Sequence, residues 1–298
     1  MDQKERRKLS LTALLAFFSI LVSLSVLSVA TFAWFTNNRR VSTSRVEART
    51  ASADVSLLIS QEGGSSFRAE DSCPIVQVNE TDLGMLMPVS TDDLQTFLYN
   101  PGTVEDYAIN FLEVEDEAFY FHGRVYLKAE ASGESTGTHM ALYLDQSEES
   151  GGSLVEIDTE NGDDDDVSEL VLNAARLGLS FGTGGDHAIF YLSDEHNAKD
   201  DIAYNTEVNG KILGDDMVLT LSGSNVIAVD DPAVSLDTYS MFDEDGSDLP
   251  DEPLFLMELN EIYPVDIYFY LEGCDPDCSD SISLGAVKLH LAFFGVLQ

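Results

Sequence analysis

Apolar and polar residues alternate with a period of two along several stretches of this chain. That alternation predicts β-strands with one buried and one exposed face, because successive side chains of a strand point to opposite sides of its sheet. The clearest stretches are 55–59, 119–128, 265–271 and 287–293. Weaker alternation predicts further strands at 74–78, 108–114, 140–144, 187–192, 216–221 and 254–259.

Turn-forming residues separate these strands. Stretches rich in Gly, Ser, Asp and Glu predict surface loops at 131–138, 147–153, 182–186 and 243–252. Short strands joined by such loops favour antiparallel sheets that pack face to face. The predicted fold class is mainly β, an antiparallel, jelly-roll-like β-sandwich at 51–298. We expect loop-rich insertions around 130–260, or alternatively a second subdomain there.

One segment follows the helical period instead. Its apolar residues at helical spacing are Val167, Leu170, Val171, Ala174 and Leu177. Asp166 stands at the N-cap position with Glu169 three residues later, and Gly178 stands at the C′ position. These signals predict one short helix at 167–177 that covers an edge or a face of a sheet.

The N-terminus carries a basic segment followed by a long apolar one. Residues 2–8 contain four basic side chains, and no residue from 9 to 38 is charged. About 20 apolar residues are enough to cross the hydrocarbon core of a membrane, and this run is longer than the apolar part of an average signal peptide. We interpret residues 1–33 as a signal peptide or a retained membrane anchor, and 34–50 as a polar spacer.

Small residues near the end of the apolar run offer sites for a signal peptidase. Cleavage is predicted after Ala30 or Ala33. Arg39 and Arg40 compete with the N-terminal basic residues for the cytoplasmic side of the membrane. A large acidic domain translocates largely regardless of such local charge, so the body is expected outside the membrane.

Charge is distributed unevenly along the chain. The formal net charge is −39, and from residue 50 onward there are 7 basic and 51 acidic residues, a net charge of −44. Such a body repels nucleic acid and anionic lipid headgroups, so neither is expected as its partner. The same charge suits solubility outside the cell and attracts counter-cations, Ca²⁺ among them.

Two acidic clusters are weak candidates for Ca²⁺ sites, at 163–166 and at 243–248. In the second, Asp243, Asp245 and Asp248 offer carboxylate oxygens, the ligands that Ca²⁺ prefers. Neither cluster matches an EF-hand loop. The preferred interpretation of both is a helix cap or a solvated loop, so no cofactor is predicted.

The three cysteines do not form a framework of disulfides. Cys274 and Cys278 flank Asp-Pro-Asp, whereas Cys73 is distant in the sequence. A 274–278 bridge is geometrically feasible in an exported protein and would leave Cys73 free. The alternative is two plain thiols, because the spacing differs from that of a redox-active pair.

Signals of catalysis are weak. The string Asp194-Glu195-His196-Asn197 lacks the second histidine of a zinc-peptidase helix. The five histidines are expected to be surface or strand residues, and they are His122, His139, His187, His196 and His290. The sequence therefore indicates a protein that is not an enzyme.

The junction after the apolar segment has a specific pattern, which reads Ala30, Thr31, Phe32, Ala33, Trp34, Phe35, Thr36, Asn37. It resembles the junction of TasA/camelysin-type exported proteins of Gram-positive bacteria, whose signal peptides are cut by a SipW-type signal peptidase. Residues 50–57 resemble the segment that opens the mature domain of that group. Residues 172–177 and 270–278 resemble segments of clostridial surface proteins with the same kind of N-terminus.

The resemblance implies an exported structural protein of the cell surface or of an extracellular biofilm matrix. Its implied partners are the SipW-type signal peptidase and further copies of the chain, through strand addition by an N-terminal segment at 34–60. The first alternative is a single-pass, membrane-anchored binding module or adhesin with its body outside. A metal-dependent peptidase is the weakest alternative.

Overall fold

The structure is a computed structural model of the 298-residue chain. It describes residues 40–50, 55–63, 66–69, 73–78, 86–100, 111–115, 119–131, 137–145, 153–157, 171–193, 207–208, 211–212, 217–222, 225–236, 252–275, 278 and 286–298. Within these residues the chain is mainly β.

The described residues form twenty strands. In chain order they are β1 (Arg40–Thr50), β2 (Val55–Ser60), β3 (Arg68–Ala69), β4 (Val76–Gln77), β5 (Pro88–Val89), β6 (Leu98–Tyr99), β7 (Leu112–Glu113), β8 (Phe121–Ala131), β9 (His139–Leu144), β10 (Leu154–Ile157), β11 (Ala175–Phe181), β12 (Asp186–Tyr191), β13 (Glu207–Val208), β14 (Lys211–Ile212), β15 (Met217–Ser222), β16 (Asn225–Asp230), β17 (Val234–Ser235), β18 (Phe255–Glu258), β19 (Ile262–Glu272) and β20 (Ala286–Leu297).

Most strands belong to two large sheets. The five-stranded sheet has the order β1-β20-β9-β18, and β10 also pairs with β20. The nine-stranded sheet has the order β17-β12-β11-β19-β8-β2-β3, with β4 on β8 and β5 on β19. Three two-stranded sheets complete the described structure, β6–β7, β13–β14 and β15–β16. Most of the pairs are antiparallel, whereas β1–β20, β12–β17 and β5–β19 are parallel.

The main hydrophobic core contains side chains from both large sheets. Leu142 and Leu291 come from the five-stranded sheet, and Leu127, Leu177 and Phe269 come from the nine-stranded sheet. All five are buried. Full burial of one such side chain contributes about 1.5–3 kcal/mol, so the contact between the sheets is a principal source of stability.

The clear strand predictions are confirmed by β2, β8, β19 and β20, and four of the weaker ones by β9, β12, β15 and β18. The predictions at 74–78 and 108–114 are confirmed only in part, because β4 and β7 have two residues each and 108–110 lie outside the described residues. The prediction that these strands have one exposed face is wrong for β19. Its outer face carries Tyr268 and Tyr270, of which Tyr270 is fully buried under the segment 86–100. There Phe97 stacks on Tyr120 with ring centroids 4.0 Å apart and meets Tyr270 edge-to-face.

The predicted helix at 167–177 is confirmed in part, and residues 167–170 lie outside the described residues. Residues 171–174 are helical, but the helix ends earlier than predicted because β11 begins at Ala175. β11 lies between β12 and β19 with both of its faces buried, and its apolar residues at alternate positions are separated by Arg176, Gly178 and Ser180. Gly178 lies inside this strand, where an added Cβ would approach Leu94 Cδ2 to 2.5 Å. The glycine therefore allows close packing and does not end a helix.

Candidate functional site at the N-terminal strand

Strand β1 forms one edge of the five-stranded sheet. It runs parallel to β20, from the pair Arg40↔Ala286 to the pair Thr50↔Gly295, with one irregularity between Thr43 and Arg45. The opposite side of β20 is occupied by β9 and β10. Residues 40–50, which the sequence analysis assigns to a polar spacer, are thus the outer strand of a sheet.

The second side of β1 contacts the segment that leads into β4. The backbone N–H of Val46 donates a hydrogen bond to the carbonyl oxygen of Cys73 (2.8 Å), and the N–H of Cys73 donates to the carbonyl oxygen of Val46 (2.9 Å). This antiparallel bridge holds β1 from the side that β20 does not reach. Each such hydrogen bond contributes about 0.5–1.5 kcal/mol net.

Two side chains of β1 enter the main core. Val46 and Ala48 are fully buried and belong to the apolar cluster shared by the two large sheets. In the sequence they are separated by Glu47 and flanked by Arg45 and Arg49. The apolar residues at alternate positions explain why this largely polar segment is a strand, because both lie on the same side of it.

The connection between β1 and β2 is short. Residues 51–54 join Thr50 in the five-stranded sheet to Val55 in the nine-stranded sheet. A fully extended chain covers at most about 18 Å over that distance. If β1 of one copy paired with the sheet of a second copy, that sheet would therefore have to lie within about 18 Å of β2 of the first copy.

A cavity of about 280 Å³ opens beside the β1–Cys73 contact. Its lining residues are Ile59, Ser60, Gln61, Glu62, Ser66, Arg68, Cys73 and Pro74. Burial raises the pKa of the Cys73 thiol, and the charge of Arg68 offsets only part of that rise. The thiol that lines the cavity is therefore protonated at neutral pH and is not an activated nucleophile.

A histidine–aspartate pair lies on the outer face of the nine-stranded sheet. His122 Nε2 is 2.8 Å from Asp266 Oδ1, and Arg124 donates from Nε (2.7 Å) and Nη2 (2.9 Å) to the two oxygens of that carboxylate. Burial alone would raise the pKa of Asp266, but the hydrogen bonds from His122 and Arg124 outweigh it and lower that pKa. The His122 ring stacks on Tyr268, so this is a packed structural network.

Several residues singled out from the sequence lie outside the described residues. These are the junction Ala30, Thr31, Phe32, Ala33, Trp34 and Phe35, the acidic residues Asp243, Asp245 and Asp248, and His196. The other four histidines lie on strands, as expected, on β8, β9, β12 and β20. The signal-peptide and calcium assignments therefore stay predictions.

The cysteine turn is described in part. Cys274 is buried and Cys278 is half-buried, and no disulfide joins them in this structure. The N–H of Cys278 donates to the carbonyl oxygen of Asp275 (2.9 Å). Burial raises the pKa of Cys274 well above its ordinary value, which suits a plain core thiol. The 274–278 bridge stays a prediction.

The sequence between β8 and β9 contains a serine motif. Residues 133–137 read Gly-Glu-Ser-Thr-Gly, the spacing of a hydrolase nucleophile elbow. Such an elbow lies between a strand and a helix, whereas the next described elements before and after this motif are both strands, β8 and β9. The motif therefore lacks the context that would give Ser135 a catalytic role.

Within the described residues, no three His, Cys, Asp or Glu side chains are grouped so as to hold a metal ion. Nor does that part of the chain contain a helix that is long and apolar enough to span a membrane. Comparison with protein-family models, with curated proteins and with solved structures gave no match.

Proposed function

We propose that the protein is an exported structural protein of the cell surface or extracellular matrix, and that its copies assemble by exchanging β1. The observation that carries the proposal is the position of β1. It is an 11-residue edge strand joined to the body by only four residues. Its 11 backbone positions supply main-chain hydrogen bonds for affinity, and Val46 and Ala48 supply apolar anchors.

The pairing within one chain refines the strand-addition hypothesis. In the described structure β1 lies on the chain's own β20, and residues 55–60 belong to the nine-stranded sheet as β2. The exchanged segment is therefore β1 alone, and it must leave its own β20 before it can pair with the β20 of another copy. Removal of the apolar N-terminal segment by a SipW-type signal peptidase would free the end of β1 for this exchange.

The finer fold assignment belongs to the same proposal. Two large sheets that share one core support an antiparallel, jelly-roll-like β-sandwich. In such a fold an exposed edge strand is a template for another chain. The long acidic body would keep single copies soluble before assembly.

A cross-linking experiment tests the exchange. Val46 is paired with Leu291 in the β1–β20 register. Copies carrying Val46→Cys are mixed with copies carrying Leu291→Cys, with the native cysteines replaced by alanine and the mature chain starting at residue 34. Mixing under mild oxidation should give a disulfide dimer between the two chains. A matched pair with Val46→Cys and Val296→Cys, which is out of register, should give little.

Light scattering on the mature protein supplies the second readout. Large assemblies are expected from the chain starting at residue 34, and not from the chain starting at residue 51, which lacks β1. Mature protein that stays monomeric with and without Ca²⁺, and that gives no in-register dimer, would rule out assembly by exchange.

The alternative of a membrane-anchored adhesin rests on the length of the uncharged run at 9–38. N-terminal sequencing of protein from the culture medium and from membranes separates the two proposals. A start between residues 31 and 36 supports cleavage. An intact Met1 in the membrane fraction supports an anchor.

A further inference from the structure

A cluster of charged side chains lies at the end of β19, and three of its four members, Arg176, Glu272 and Asp275, are buried. Its guanidinium is Arg176 on β11, and its carboxyls are Asp231 after β16, Glu272 at the end of β19 and Asp275 in the following turn. Arg176 Nη2 contacts Asp275 Oδ2 (2.8 Å) and Asp231 Oδ2 (3.2 Å). Arg176 Nη1 donates to the carbonyl oxygens of Asn173 (3.4 Å) and Ala175 (3.2 Å).

The charges of this cluster do not balance if all its groups are ionised, since one guanidinium would face three carboxylates. Glu272 is the carboxyl without a contact to the guanidinium. Its Oε1 accepts hydrogen bonds from Ser90 Oγ (2.5 Å) and from the N–H of Cys274 (2.9 Å), both of them neutral donors. Its Oε2, like Arg176 Nε, has no hydrogen-bond partner among the described protein groups.

Glu272 is therefore protonated at neutral pH. Burial and the neighbouring Asp231 raise its pKa to about 8, and Arg176 and the hydrogen bond from Ser90 offset part of this rise. Two further titratable groups next to Glu272, Tyr270 and Cys274, remain neutral. Burial raises the pKa of Tyr270 on the same strand and of Cys274 in the turn well above their ordinary values.

The β15–β16 hairpin is tied to this cluster by two polar contacts. The N–H of Leu219 on β15 donates to Ser90 Oγ (3.2 Å), the same oxygen that donates to Glu272. Asp231, directly after β16, contacts Arg176. Apolar packing of Leu219 and Ala228 against Leu98 and Cys274 completes the docking. The first contact is made to Ser90, which also donates to Glu272, and the second is made to Arg176, the guanidinium of the cluster.

We propose that this cluster is a lock, which keeps the β15–β16 hairpin docked while Glu272 is protonated and releases it when Glu272 ionises. An ionised Glu272 would add a third negative charge to a site with one guanidinium. The repulsion between the three carboxylates is reduced at the lowest free-energy cost when the most solvent-exposed acid moves out of the cluster. That acid is Asp231, whose side chain is 12% exposed, whereas the side chains of Arg176 and Asp275 are fully buried. Because Asp231 directly follows β16, the β15–β16 hairpin undocks when Asp231 moves out.

Hydrogen exchange measured by mass spectrometry tests the lock, with rates corrected for the intrinsic effect of pH. Between about pH 6.5 and 9.5, peptides covering 217–230 should lose protection by about tenfold or more, with a midpoint near pH 8. Peptides covering β8 and β19 should keep theirs. Glu272→Gln, which cannot ionise, should abolish the transition, and the control Glu258→Gln, an exposed acid on β18, should leave it unchanged.

Asp231→Asn supplies a second variant in case Glu272→Gln does not fold. Removing the charge that raises the pKa of Glu272 should move any transition of the cluster to lower pH. Because Asp231→Asn also weakens the contact with Arg176, the hairpin should show less protection at pH 6.5 as well. Constant protection of the hairpin across this pH range in the unaltered protein would overturn the lock. So would a transition that persists in Glu272→Gln, or one that removes protection from β8 and β19 at the same pH.

Discussion

Val46 and Cys73 exchange a reciprocal pair of backbone hydrogen bonds of 2.8 and 2.9 Å. The pair joins the edge strand of the five-stranded sheet to the segment that leads into β4 of the nine-stranded sheet. Since β20 holds the other side of β1, Val46 is fixed from both sides while its side chain enters the core. This residue is therefore the point at which β1 is most firmly attached among those whose side chains are described.

Val46→Ala should lower the free energy of unfolding by about 1–3 kcal/mol, because it removes buried methyl groups and leaves a cavity. The matched control is Val234→Ala, since Val234 is 44% exposed and should change stability by less than about 0.5 kcal/mol. Urea unfolding of the monomer measures both. Equal effects of the two substitutions would contradict the assignment of Val46 to the core.

Gly178→Ala should destabilise the protein by about 1–3 kcal/mol, because the new Cβ would lie 2.5 Å from Leu94 Cδ2 in a filled core. Leu94 is buried and has a left-handed φ of 55°, so its surroundings have little freedom to adjust. Gly184→Ala is the control, since the nearest atom to its added Cβ is 3.7 Å away. Thermal unfolding compares the two, and a Gly178→Ala protein as stable as the control would show that β11 is less tightly packed.

Strands with a long alternation of apolar and polar residues could be predicted from the sequence, and this includes β19, although much of its outer face is buried. β8 and β20 show this alternation over many residues, whereas β11 is short, and its Leu177 also fits the helical period that starts at Val167. β1 was not predicted as a strand. Only two alternate residues near its C-terminal end are apolar, and a charged residue separates them.

The buried charge cluster could not be predicted from any local pattern in the sequence. Arg176, Asp231, Glu272 and Asp275 come from three distant parts of the sequence, and each looks like an ordinary acidic or basic residue of a charged chain. Only long-range strand pairing brings them together, above all β11 beside β19. The nearest hint is the position of Glu272 at the end of a strongly alternating strand, which by itself indicates no partner.

Asp266→Asn should reduce the loss of stability that accompanies acidification. The hydrogen bonds from His122 and Arg124 lower the pKa of Asp266 in the folded protein below its ordinary value of 3.8. Its stabilising contribution is therefore complete above that value and is lost as the pH falls toward the lower, folded-state pKa. Other acids change the stability too, so the readout is the difference between variant and unaltered protein.

That difference is obtained from urea unfolding between about pH 6 and pH 2.5. The two curves should converge at the acidic end, because protonated Asp266 and asparagine are both uncharged. Glu258→Gln, which alters an exposed acid, should run parallel to the unaltered protein. A constant offset between Asp266→Asn and the unaltered protein at every pH would mean that charge plays no part in the contact.

Arg176→Ala should cost about 3–5 kcal/mol or prevent folding, because it leaves the buried Asp275 and the partly buried Asp231 without a counter-charge. Lys128→Ala is the matched control. It also breaks an ion pair, with Glu130 at 2.9 Å, but that pair lies at the surface and should be worth at most about 1 kcal/mol.

In case the Arg176→Ala protein does not fold, Asp275→Asn is measured as a second variant. Asp275→Asn should cost less stability than Arg176→Ala, because it removes one charge and keeps the guanidinium paired with Asp231. Urea unfolding gives all three values, and an Arg176→Ala protein no less stable than Lys128→Ala would show that the cluster does not hold the end of β19.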